Sequence, residues 1–151
     1  VGLLCDYFSA ASDDAAAAVI DVLGGPRAAS DPGSEVVELK GIEPFVVLGK
    51  LEELLTGLDY DSVTENLRWG HAVAVRHDGE LLVVSLTDEV QAALATASEA
   101  ELRGVALPWS QIEEFWGQGE PSHLAEILIE LAALARLATA RHERLYCWVS
   151  V

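Results

Sequence analysis

Two spacings of apolar residues divide the chain. Residues 3–9 (LLCDYFS) and the closing RLYCWVSV are short apolar runs that read as strands. In HAVAVRHDGELLVVSL, Asp78-Gly79 stands between two alternating runs, the strongest short-range signal of a β-hairpin. A two-residue turn there pairs His77 with Glu80, Val75 with Leu82, Val73 with Val84 and His71 with Leu86, so that His71, Val73, Val75 and His77 share a face with Leu82, Val84 and Leu86. The opposite face, Ala72, Ala74, Arg76, Leu81, Val83 and Ser85, is half apolar and suits partial cover. EVVELKGI at 35–42 is a shorter strand candidate without clean alternation.

Between these runs the period becomes helical. Ser12-Asp13-Asp14 supplies an N-cap and first-turn acids for an alanine-rich helix that Gly24, Gly25 and Pro26 stop, and 27–34 (RAASDPGS) follows as a polar loop. From Pro44, Val47, Leu48, Leu51, Leu54 and Leu55 recur at helical spacing up to Gly57. Gly49 inside that helix costs about 1 kcal/mol relative to alanine, which points to close packing against another element. LDYDSVTENLRWG reads as a loop with one turn capped by Ser62 and Glu65. Ser98 with Glu101 and Ser110 with Glu113 each form a capping-box pattern, with Pro108 separating the two segments they start. PSHLAEILIELAALARLATARHE is the longest amphipathic helix, its stripe made of Leu124, Ile127, Leu128, Leu131, Leu134, Leu137 and Ala138. The expected architecture is one α+β domain over 1–151: a mixed or antiparallel sheet of about five strands, helices mainly on one face, and adjacent N- and C-terminal strands.

Composition narrows the function classes. An apolar share of 51% argues against disorder, while 25 acidic against 9 basic residues give a net charge of -16 that repels nucleic acid and anionic membranes. That charge serves either solubility or a surface for a basic partner. Two cysteines are no disulfide framework, and with no basic leader at the start they indicate reduced thiols and a cytoplasmic location. Glu126 and Glu130 interrupt the most apolar helix, so no membrane span is expected.

Reactive constellations are not evident, and neither a metal nor a cofactor is expected. His71 and His77 sit about 20 Å apart along one strand, His123 and His142 lie near opposite ends of one helix, and Asp59-Tyr60-Asp61 lacks the rest of a calcium loop. Gly24-Gly25-Pro26 follows a helix, the reverse of a phosphate loop. Cys5 and Cys147 fall on one face of the first and last strands, where they read as neighbouring small hydrophobes. Trp109 and Trp116, seven residues apart in PWSQIEEFWG, share a helical face. Exposed, they make an aromatic anchor ringed by Glu113, Glu114 and Glu120; buried, they are core. Trp69 beside Asp59, Asp61 and Glu65 is a weaker anchor of the same kind.

Four stretches, GLLCDYFSA, LEELLTG, SLTDEVQAALATASEAELRG and the long final helix leading into an aromatic strand, resemble the YfbM-like family of small bacterial proteins of unknown function. The resemblance implies an α+β bacterial domain and supplies no activity. The leading expectation is therefore a non-enzymatic acidic module that binds a basic protein, as immunity proteins do. The alternative is a small enzyme or ligand-binding domain with a site built from Asp6, Tyr7, Glu38, Lys40 and Tyr146 on strands that meet.

Overall fold

A computed structural model describes residues 2–30 and 35–151, so residues 31–34 of the expected polar loop lie outside the described part. Five strands, β1 (Leu4–Ala10), β2 (Val37–Lys40), β3 (Ala72–Arg76), β4 (Leu81–Ser85) and β5 (Arg144–Ser150), form one antiparallel sheet in the order β2-β1-β5-β4-β3. The first and last strands are neighbours over their whole lengths, from Leu4 opposite Ser150 to Ala10 opposite Arg144. The expected α+β class, strand number and terminal pairing all hold.

Among the described residues, seven α-helices cover this sheet unequally: α1 (Asp13–Ala18), α2 (Gly25–Ala29), α3 (Val46–Thr56), α4 (Tyr60–Glu65), α5 (Asp88–Thr96), α6 (Glu99–Ser110) and α7 (Pro121–Ala140). Alternation along the strands sends Cys5, Tyr7, Val84, Leu145, Cys147 and Val149 into the large core shared with α3, α5, α6 and α7. The apolar stripe of α7 supplies Leu124, Ile127, Leu128, Leu131 and Leu134 to the same core. Glu120 caps that helix, accepting from the amides of Ser122 and His123. The other sheet face holds a smaller cluster in which Phe8, Val83 and Tyr146 pack under Ala16 of α1 and Ile20 of the 3-10 turn Val19–Asp21.

Local differences from the sequence expectation have local causes. The hairpin keeps the expected pairing of Val75 with Leu82, but a bulge between Ala72 and Ala74 sets Ala72 opposite Val84 and sends Val73 to the smaller cluster. Gly24-Gly25-Pro26 does not stop a long helix. The first helix ends earlier, and these residues open α2, with Gly24 and Gly25 at φ of 92° and 72° and Pro26 in the first helical turn. Asp59, not Ser62, caps α4, because its carboxylate reaches the Ser62 amide at 2.7 Å. The Ser98–Glu101 capping box forms as expected. The one at Ser110 does not: α6 runs through Pro108, Ser110 is its last residue, and the Ser110 hydroxyl donates back to the Leu107 carbonyl at 2.6 Å.

Gly49 fulfils the close-packing expectation. A methyl group there would meet Nε1 of Trp69 at 3.0 Å and Cε1 of Tyr60 at 3.1 Å, so α3 is pressed against α4 and the turn that follows it. Cys5 lies opposite Val149 and Cys147 opposite Tyr7, which makes the cysteines diagonal neighbours on one face, about 7–8 Å apart. Both are fully buried free thiols, and burial, then the neighbouring Cys5, pushes the Cys147 thiol well up. Both belong to the large core as small apolar side chains.

Candidate functional site

The smaller helical layer leaves part of its sheet face open. Register aligns two rows of side chains there: Glu38, Asp6, Trp148 and Val83 across β2, β1, β5 and β4, then Lys40, Leu4, Ser150, Leu81 and Arg76 out to β3. The 3-10 turn Val19–Asp21 and the following Val22–Gly25 arch over these rows, and Gly25 comes so close to Trp148 that an added Cβ would sit 3.4 Å from the indole. Between arch and sheet lies an open cleft of about 700 Å³ whose apolar lining includes Leu4, Ile20, Leu23, Leu81 and Trp148. Leu23, on the arch, is 94% exposed.

Asp6 is the unusual member. It occupies the middle of an interior strand, a position that favours β-branched and aromatic residues, and only 9% of it is exposed. Among the described residues its carboxyl has no hydrogen-bond partner and no ion pair, yet it lines the cleft. Burial raises its pKa to about 6, the negative charge of Glu38 adds to the rise, and Arg27 partly offsets it. The other carboxylates of the cleft are partnered. Arg27 donates to Glu38 at 2.7 Å, and Arg76 forks onto Asp21 at 3.0 and 2.9 Å.

Of the five residues expected to form a ligand site, Asp6, Glu38 and Lys40 line this cleft. Tyr7 does not, because alternation turns it to the opposite face, where its hydroxyl donates to the Ile42 carbonyl at 2.6 Å. Tyr146 shares the face of Asp6 but lies beneath α1. Its hydroxyl donates to Asp13 at 2.5 Å, and Arg68, 3.2 Å from Asp13, stacks over its ring with Cζ 5.6 Å from the centroid. The Tyr146 hydrogen bond, then Arg68, holds the Asp13 carboxyl below its usual range, so this knot clamps α1 to the sheet. Trp148 and the Gly24-Gly25 arch were missed as site residues. Alternation in RLYCWVSV does place Trp148 opposite Cys147 in facing, but only the chain path after α1 shows that the second face is roofed.

The tryptophans separate. Trp109 is fully buried, donating its indole N–H to the Val47 carbonyl at 3.1 Å and meeting Phe115 edge-on, so it belongs to the core and cannot anchor a partner. Trp116 is 87% exposed beyond the end of α6, with a left-handed φ of 53°. It does not share a helical face with Trp109, since the helix ends between them. Around it, Glu114 is neutralised by Lys50 at 2.6 Å and Glu120 is used as a helix cap, which leaves Glu113. Trp69 is half-buried, bonded to the Phe45 carbonyl at 3.1 Å, and Asp59 is a helix cap; with Asp61 they form no acidic anchor around an exposed indole.

Among the described residues no group of three or more His, Cys, Asp or Glu side chains is placed to hold a metal ion, and no helix is long and apolar enough to cross a membrane. Compared with protein-family models, curated proteins and solved structures, the chain matches none.

Proposed function

We propose that this chain is a ligand-binding domain that holds a small organic molecule in the cleft between the Asp6–Trp148 row and the Val19–Gly25 arch. The observation that carries this function is Asp6. Its carboxyl reaches an otherwise apolar stretch of the cleft floor with no hydrogen bond or ion pair among the described residues, where partial burial disfavours its charge. Apolar walls of Leu4, Ile20, Leu81 and Trp148 beside a few converging polar groups, Asp6 among them, have the composition of small-molecule sites. A cytoplasmic location accords with the unpaired, buried thiols of Cys5 and Cys147. The net charge of -16 argues against a nucleic-acid ligand.

A fragment screen read by amide chemical shifts tests this directly. Binders should perturb Gly24, Gly25, Leu81 and the Trp148 indole N–H together. Binders that leave all four unmoved would overturn the assignment.

A second function is favoured by Trp116. An indole held 87% exposed at a disfavoured backbone angle, on the rim of a groove lined by Glu43, Val46, Ile112 and Glu113, suits an acidic module that docks a basic protein, of the kind immunity proteins are. Capture of a partner at low salt that is released at high salt, and is lost in Trp116→Ala, supports it. Capture unaffected by either change contradicts it.

A further inference from the structure

The charges around the cleft restrict what it can hold. They are Glu38 and Lys40 on β2, Arg27 on α2, Asp21 on the arch, and Arg76 and His77 at the end of β3, facing Asp6 on β1. Arg27 pairs with Glu38 and Arg76 with Asp21, so Asp6 is the cleft carboxylate that forms no ion pair among the described residues, and Arg27 acts on it only from a distance. Lys40 and Arg76 stand at opposite edges of the next row, four strand spacings or about 19 Å apart, too far to clamp one small anion between them. Directly across from Asp6, Trp148 presents an aromatic ring, the second group that attracts a cation in a partly desolvated place. Leu4, Ile20, Leu23 and Leu81 then offer apolar surface to whatever carries the charge.

We propose that the ligand is an organic ammonium ion on an apolar or aromatic body, its charged nitrogen seated between the Asp6 carboxylate and the Trp148 ring. This assignment rests on the ligand-binding function proposed above and names its chemical class. The ammonium supplies the hydrogen-bond donors that no described residue gives Asp6, and a positive charge closer than Arg27. The body fills the space under the arch, beside the part of the Trp148 indole that Gly25 does not cover.

The test uses the full chain and three probes of similar shape: 2-phenylethylamine, 2-phenylethanol and 3-phenylpropionate. Affinity is measured by calorimetry at neutral pH, and the site is read from the Trp148 indole resonance, identified by its loss in Trp148→Phe. The amine should bind about tenfold or more tightly than the alcohol, the difference expected for a charge-assisted hydrogen bond, and the propionate more weakly still. Asp6→Asn, whose fold is checked by circular dichroism, should bring amine and alcohol to equal affinity. Equal affinities in the native chain, a preference for the propionate, or a preference for the amine that survives Asp6→Asn would overturn the ammonium assignment while leaving the cleft as a binding site. If none of the three shifts the Trp148 resonance, the ligand-binding function fails together with the assignment.

Discussion

Asp6 concentrates the cost of the site in one carboxyl. Its ionisation disfavours the folded state, because the folded pKa is about 6 against an ordinary 3.8. The penalty is therefore absent below about pH 4, grows as pH rises through the window between these values, and is complete above pH 6 or so. Asp6→Asn should unfold at a higher temperature than the native chain at about pH 7.5, with the difference shrinking toward zero at about pH 4. Thermal unfolding at a series of pH values checks this, and a variant that is less stable at neutral pH would contradict it. Asp6, Glu38 and Lys40 line one cleft because antiparallel pairing sets Asp6 opposite Glu38 and Leu4 opposite Lys40, a meeting of β1 with β2 that the imperfect alternation of 35–42 does not reveal. Tyr7 was misplaced against strand parity, which assigns adjacent residues to opposite faces, and Asp6 and Tyr7 cannot both line one cleft.

Elements were read most reliably where one strong periodicity ran without interruption. The hairpin of β3 and β4, the long α7 and the strand that follows it stand where the pattern puts them. Ends were harder, because caps compete: Ser62 and Asp59 both fit the sequence of a first turn, and the shorter reach of Asp59 to the Ser62 amide decides it in the folded chain. Pro108 misled in the other direction. In the last turn of α6 its missing N–H removes one hydrogen bond, and the burial of Trp109 offsets that loss. Gly49 permits a test of how tightly the elements meet. Alanine would gain about 1 kcal/mol of helix propensity, but its methyl would press on Tyr60 and on Trp69, which its bond to the Phe45 carbonyl holds in place. The overpacking should win by costing about 1–3 kcal/mol. Gly49→Ala should lower the urea midpoint with an unchanged m-value; a raised midpoint would show that the contact yields.

Apart from the buried Asp6 and Glu52, the described charges lie toward the surface, and the first and last strands share one sheet. With 25 acidic and 9 basic residues, self-repulsion opposes the compact state, and the surface ion pairs such as Arg27–Glu38 and Arg76–Asp21 are too exposed to compensate. Raising sodium chloride from about 0.01 M to about 0.5 M should therefore raise Tm, because screening weakens the repulsion more than it weakens those pairs. A fall in Tm would mean that attractive pairs dominate. Architecture was legible at this scale because a first strand, a long helix and a last strand leave few ways to close an antiparallel sheet. The cleft was not, because its roof depends on where a glycine turn leaves the sheet, and composition says nothing of that path. The most direct measurement is a carbon-13 titration of the Asp6 carboxyl, with and without 2-phenylethylamine. An apparent pKa of about 6 in the free protein, falling when the amine binds, is predicted; a value near 3.8 in the free protein, or one the amine leaves unmoved, would contradict a carboxylate kept without an ion pair for a ligand to supply.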